Sequence, residues 1–207
     1  MLFVQSLLGA VIHPQVSLNF GFCCDPSVER ARNILTANFL ESDCTHLLFV
    51  DTDIGFSAAD VARIASHSAP VVGGLYPLKT ISAAVQWCGN GLQPGDAAIR
   101  GDGLTEVKYI GTGFLCIARA VFECMISVGA VEQYTQDFPP HRQEFAFWTQ
   151  GVRGNRFLTE DWMFCQRCQE LGIPIWADSQ VVLQHAGRAV WPLPFQSGNP
   201  FSNPSPV

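Results

Sequence analysis

The chain has 207 residues, 48% of them hydrophobic and only 14% charged. That balance excludes intrinsic disorder, which needs the reverse, and the length fits one domain with a single core. Twelve basic against eighteen acidic residues leave a net charge of −6, which argues against a nucleic-acid partner, since phosphates need a basic surface. In chain order, Met1–Ile12 is an apolar run shorter than the roughly 20 residues of a membrane-spanning helix. No basic residue precedes it, so it reads as a buried helix rather than a secretory signal. Val16–Phe22 is a β-rich run closed by Asp25-Pro26, and Ser27 is placed to cap a helix to about Leu40, with Val28, Ala31, Leu35 and Phe39 inward. His46–Val50 has the continuous apolar character of a strand buried on both faces. Ser57 opens a second helix, with Asp60 three residues on and Val61, Ile64 and Ala65 inward, and Pro70–Tyr76 is another buried strand. Strand, helix and strand again predict a right-handed crossover, hence an α/β, doubly wound, mostly parallel sheet with helices on both faces.

Further along, Ala84–Cys88 and Glu106–Ile110 read as strands around a Gly/Asp loop, Gly89–Gly103. Phe114–Ala118 is a strand feeding a helix at about Ala120–Ser127. Gln133 to Arg156 lacks a period of its own and carries Phe138, Phe145, Phe147 and Trp148, of which Phe145, Phe147 and Trp148 either pack a loop or form an aromatic platform. Thr159 caps a helix to Leu171, ended by Gly172-Ile173-Pro174, and Ile175–Ala177 and Val181–Gln184 are short strands. Residues 1–191 form the predicted domain, and the Pro/Ser/Asn-rich stretch 192–207 is a loose tail. Eight cysteines are too dilute for a disulfide scaffold. Cys165 and Cys168 have no second pair to complete a zinc site and read as small core residues, so a reducing, cytoplasmic setting is the expectation.

The strongest chemical signal is Leu47–Gly55, where an apolar strand ends in Asp51-Thr52-Asp53. In open α/β sheets ligands bind at the carboxyl edge, and alternate residues of a strand share a face, so Asp51 and Asp53 are expected to enter one crevice. Carboxylates so close repel one another unless a cation joins them, and Mg2+ or Mn2+ prefers such oxygen ligands. The plainer alternative is a polar turn closing a strand. Glu160 and Asp161 open a helix, where acids stabilise by about 0.3–1 kcal/mol each with no catalysis implied. Asp161, however, shares a face with Phe164, Cys165 and Cys168, so it is expected at the rim of the core, where burial raises a carboxyl's pKa and suits a general base. His185 ends a strand, either as a structural residue or as a neutral imidazole ligand partnered by Asp53. Lys79 is placed to meet a phosphate or simply to be exposed, and Arg32 belongs to a solvated helix face.

These segments together resemble the nucleotide-sugar glycosyltransferases of the GT-A, Rossmann-like fold. Asp51-Thr52-Asp53 resembles their DXD motif, and Val71-Val72-Gly73-Gly74-Leu75-Tyr76 their next strand. Tyr109-Ile110-Gly111-Thr112-Gly113-Phe114 resembles the glycine-containing strand and turn beside the donor sugar. Thr159-Glu160-Asp161-Trp162 resembles the acidic pair near the acceptor, and His185 stands where a late histidine helps hold the metal. The likeness runs from Ser27 to Gly187. It implies sugar transfer from a UDP- or GDP-sugar to a glycan or other hydroxyl acceptor, with Mn2+ or Mg2+ held by Asp51, Asp53 and His185. It puts Arg30, Asn33, Thr52, Lys79, Gly111, Thr112 and Gly113 on the donor side, and Asp161 with Glu160 in the catalytic role. A divalent ion also lets an acidic protein take an anionic donor and stabilises the departing diphosphate. The glycines would let backbone approach the sugar closely, or simply form a tight turn.

Enzymes of this family open with a strand and loop for the nucleotide base, ahead of the helix that Leu2–Ile12 resembles. Here that strand is absent, displaced, or replaced by Val16–Phe22. Two other readings stand beside transfer. One is a degenerate nucleotide-sugar or glycan-binding domain. The other is a haloacid dehalogenase-like phosphohydrolase, whose opening motif Leu47–Gly55 also resembles, although here a strand and a helix come first and Glu160-Asp161 is the late acidic pair.

Overall fold

The computed structural model describes residues 2–11, 17–79, 87–91, 100–137, 141–187 and 190–192. Helix α1 (Leu2–Val11) packs on only one side: Ala10 is buried, the Phe56 amide donates to the Ser6 hydroxyl at 3.0 Å, and Val4 and Leu8 stay exposed. The expected buried helix is therefore only partly buried. Residues 17–22 form no strand, which corrects the strand expected over Val16–Phe22, and Val16 lies outside the described residues. Ser27 caps α2 (Val28–Leu40) as its position predicts, its hydroxyl accepting from the Arg30 amide. Strands β1 (His46–Val50) and β2 (Ile54–Gly55) precede α3 (Ala58–Ser66), where Ser57 and Asp60 form a reciprocal capping box. Strand β3 (Val71–Leu75) follows, fully buried, and then β4 (Gly89–Gly91), β5 (Leu104–Ile110), β6 (Phe114–Ala118) and α4 (Arg119–Ser127).

The aperiodic stretch resolves into two hairpins, β7 (Gln133–Thr135) with β8 (Gln143–Phe145), and β9 (Gly151–Arg153) with β10 (Arg156–Leu158). Helix α5 (Glu160–Glu170) leads into β11 (Ile175–Val182), β12 (Gln184–Ala186) and β13 (Val190–Pro192). Phe138, Pro139-Pro140, the first part of the expected Ala84–Cys88 strand, most of the Gly89–Gly103 loop and the tail beyond Pro192 lie outside the described residues.

The main sheet corrects the expected doubly wound, mostly parallel, Rossmann-like architecture. Its order is β1-β6-β3-β11-β5-β4, and among the described residues only β3·β11 runs parallel. The β1·β6, β3·β6, β11·β5 and β4·β5 pairs are all antiparallel. Strands β1 and β3 do run in the same direction, as a crossover requires, but β6 lies between them running the other way. The alternation of strand and helix fixed direction without fixing neighbours, because β6 is as continuously apolar as β3 and fits the same slot. Helix α3 packs against β3 and β11, α4 against β6, and α5 against β5. Between these layers the core is aromatic: Trp148 stacks on Phe164 at 4.5 Å, and Phe122 meets Phe39 and Phe147 edge-on.

Candidate functional site

Strand β1 ends at Val50, opposite Phe114, and the chain turns at once. The Asp51 amide donates to the Gly113 carbonyl at 3.0 Å, and the Ile54 amide to the Asp51 carbonyl at 3.0 Å. Asp51–Ile54 is thus a tight turn rather than the last residues of a strand, and the same-face argument for Asp51 and Asp53 does not apply to it. The turn delivers the chain to β2, which pairs with β12 in the register Ile54–His185, while the Ala186 amide donates to the Asp53 carbonyl at 2.7 Å. That pairing sets His185 beside Asp53, with Nε2 3.6 Å from the carboxylate oxygen Oδ2. His185 Nδ1 lies 2.7 Å from the Pro77 carbonyl oxygen. A carbonyl only accepts, so Nδ1 carries the hydrogen and Nε2 is the ring nitrogen turned toward Asp53. The edge of the ring is held against Tyr76 at 5.1 Å.

Lys79 pairs its ammonium with the same Asp53 carboxylate. It is exposed, as the plainer expectation had it, and it is one of two cations that this acidic turn holds. Asp51 points elsewhere, with its two oxygens 3.2 and 3.4 Å from Arg32. The expected trio of Asp51, Asp53 and His185 is therefore divided between two partners. Among the described residues no group of three or more His, Cys, Asp or Glu side chains is assembled to hold a metal ion. The pair Asp53 and His185 fits a divalent ion as a partial ligand set in residue type: a carboxylate and an imidazole nitrogen face one another across 3.6 Å. Mg2+ or Mn2+ commonly takes one or two protein ligands and completes its shell with phosphate oxygens and water.

Arg32 was expected on a solvated face, and the structure corrects this. Helix α2 buries Arg32, Asn33 and Thr36 together with Phe39; of the expected stripe, Phe39 is buried and Leu35 packs against the core, while Val28 is exposed. The Arg32 side chain, 8% exposed, pairs with both Asp51 and Glu160 and lies 5.9 Å from the Trp148 ring. It ties the turn after β1 to the first turn of α5. Burial raises the Glu160 pKa against the pull of the Arg32 guanidinium, and the neighbouring charge of Asp161 adds to the rise. Asp161 is half-buried, and its Oδ1 accepts from the Trp162 amide at 2.8 Å and from the Thr159 hydroxyl. Its Oδ2 has no partner among the described residues.

The other expected contacts fall mostly to packing. Asn33 is buried, donating to the Trp148 carbonyl at 3.0 Å and accepting from the Trp148 amide at 2.9 Å, so it braces the loop that carries Trp148. Arg30 pairs with Asp25 at 2.7 Å, and Thr52 is exposed at the turn. Gly111, Thr112 and Gly113 are buried, and their close approach is to Tyr76: a Cβ on Gly113 would lie 2.7 Å from Tyr76 Cζ. The Tyr76 hydroxyl oxygen accepts from the Gly113 amide at 3.0 Å. The Thr112 Oγ1 is buried with no partner among the described residues. Phe147 and Trp148 are core residues, so of the expected aromatic platform only Phe145 stays partly exposed. Sequence reasoning missed Arg32 and Tyr76. The signal for the first was the helical spacing of Arg32, Asn33, Thr36 and Phe39, a second candidate stripe that its polar members disguised.

No family model matches the chain, and no curated protein matches it either. Among solved structures, the crystal structure of A197 from STIV is similar to it at 19% identity and a TM-score of 0.48, covering 84% of this chain and 80% of that one. A likeness of that size bears on neither activity nor site. Among the described residues no helix is long and apolar enough to cross a membrane.

Proposed function

We propose that this chain is a glycosyltransferase that moves a sugar from a UDP- or GDP-sugar to a hydroxyl of a glycan or other acceptor. The observation that carries the reading is Arg32, whose one guanidinium joins the Asp51-Thr52-Asp53 turn to the Glu160-Asp161 pair. On this reading Asp53 and His185 hold Mn2+ or Mg2+, which supplies Lewis acidity toward the leaving diphosphate. Lys79, already on Asp53, offers a second positive charge to the phosphates. Asp161 takes the proton of the acceptor hydroxyl at Oδ2, its unpartnered oxygen, while the Thr159 hydroxyl and the Trp162 amide fix Oδ1. Glu160, held by Arg32, orients the start of α5 and adds to the negative charge facing the acceptor. All eight cysteines are free thiols, which supports a reducing, cytoplasmic setting.

Transfer from a panel of UDP- and GDP-sugars, with and without Mn2+, tests the reading. Asp161→Asn keeps the size and removes the charge. The expected outcome is a near-native melting temperature, unchanged nucleotide binding, and transfer reduced by at least about 100-fold. Wild-type protein that binds the nucleotide sugar and neither transfers nor hydrolyses it would instead be a binding domain.

A further inference from the structure

Helix α5 carries the Glu160-Asp161 pair at its start and, further along, one wall of a separate cleft. The cleft has a volume of about 350 Å³ and is lined by Lys108, Tyr109, Arg153, Arg156, Gln166 and Glu170 among others, but by none of Asp51, Asp53, Glu160, Asp161 or His185. Its shape follows from the β9–β10 hairpin. Gly154 has φ 61°, which a two-residue turn with Gly first requires, and Arg153 and Arg156 stand opposite one another across that turn. Successive strand residues alternate in face, so Val152 and Phe157, paired one step away, point outward at 68% and 62% exposed. The two arginines then turn to the opposite side, where Lys108 of β5 meets them. Three of twelve basic residues thus converge on one cleft in a chain of net charge −6.

These cations are held without being neutralised. The Arg156 guanidinium lies 5.3 Å from the Tyr109 ring and 5.4 Å from that of Trp162, and the two rings stack at 4.7 Å. Lys108 Nζ lies 5.7 Å from the Tyr109 ring. Aromatic faces orient a cation and leave its N–H groups free for a fork-like bond to an anion. Among the described residues no carboxylate forms an ion pair with Lys108, Arg153 or Arg156. The carboxylate in the wall, Glu170, accepts from Gln166 Nε2 at 3.2 Å, and the Gln166 oxygen accepts from the Tyr109 hydroxyl at 2.8 Å.

We propose that this cleft binds an anionic group, a phosphate, sulfate or carboxylate, carried by the acceptor saccharide. Arg153 and Arg156 supply the fork donors and Lys108 a point charge. Trp162, the residue after Asp161, connects the cleft to the acidic pair, so an acceptor anchored here would extend along α5. Calling the ligand an acceptor rests on the transfer reading above; anion binding in the cleft does not.

Calorimetry on the full chain tests it with glucose 6-phosphate, glucuronate, glucose and inorganic phosphate as probes. Saturable binding of an anionic sugar, with glucose at least about tenfold weaker, is expected, and the better of the two anionic sugars names the group. Arg153→Gln with Arg156→Gln should weaken it at least about tenfold at an unchanged melting temperature, since both side chains are exposed. Equal binding by this variant, equal binding of glucose, or inorganic phosphate matching both anionic sugars would overturn the proposal. UDP with Mn2+ should bind wild type and variant alike; if it displaces the sugar phosphate, the cleft serves the donor and the acceptor assignment fails. Wild type that binds glucose 6-phosphate but not UDP would sink the transfer reading and leave anion binding standing.

Discussion

The guanidinium of Arg32, 8% exposed, sits between the carboxylates of Asp51 and Glu160, so two acids share one cation. Glu160 is the more buried of the two at 13% exposed against 46%, and burial raises its pKa from the ordinary glutamate value of 4.5. The sign of the consequence follows from linkage. A carboxyl whose folded pKa lies above its unfolded one favours the folded state below the unfolded pKa, and loses that contribution as pH rises through the folded pKa. The stability of wild type relative to Glu160→Gln should therefore fall as pH rises from about 4.5, measured as the difference in urea midpoint at successive pH values. A difference that does not change with pH would mean that the Glu160 carboxyl is not perturbed. Arg32 itself could not be recognised from its neighbours in sequence, because its two partners come 19 and 128 residues later.

At the scale of one element, α2 shows how a polar stripe becomes a core face. The Thr36 hydroxyl donates to the Arg32 carbonyl at 2.8 Å and accepts from Trp148 Nε1 at 2.9 Å, and the Asn33 amide bonds to the Trp148 backbone in both directions. Asn33 and Thr36 find their partners on Trp148, and Arg32 finds its own on Asp51 and Glu160, which offsets the cost of burying them. Thr36→Val keeps the shape and strands the indole N–H in the core. It should cost about 1–3 kcal/mol of stability in chemical denaturation. A loss under about 0.5 kcal/mol would mean that the Trp148 side chain finds another acceptor. The caps at Ser27 and Ser57 were legible because they act within three residues. The inward face of α2 was not, because the partner that makes its polar side chains satisfiable lies more than a hundred residues away.

For the whole molecule, a net charge of −6 repels an anionic nucleotide unless a cation mediates. UDP or GDP alone should then change the melting temperature little, and the same nucleotide with Mn2+ should raise it. At 100 times its dissociation constant a ligand adds about 2.7 kcal/mol, a rise of roughly 5–10 °C for a chain of this size. Asp53→Ala should abolish that rise and leave the apo melting temperature near wild type, since the pair it makes with Lys79 is substantially exposed on both sides. A variant with the full Mn2+-dependent shift would remove Asp53 from the ion.

By itself the sequence determined what short range controls: the capped helices α2 and α3, the apolar strands β1, β3 and β6, and an acidic turn at the end of β1. It also placed Asp53 and His185 in one candidate site, and their approach to 3.6 Å is made by the β2·β12 pairing. Tertiary structure alone decided the rest. It inserted β6 antiparallel between β1 and β3, sent Asp51 to Arg32 instead of to Asp53, and filled the space beside Gly111 and Gly113 with the Tyr76 ring. Periodicity and capping are set by neighbours three or four residues apart, whereas strand order and ion pairing are set by groups that meet only when distant segments pack. Many orders and pairings share the same local pattern, and only the closing of the core selects one of them.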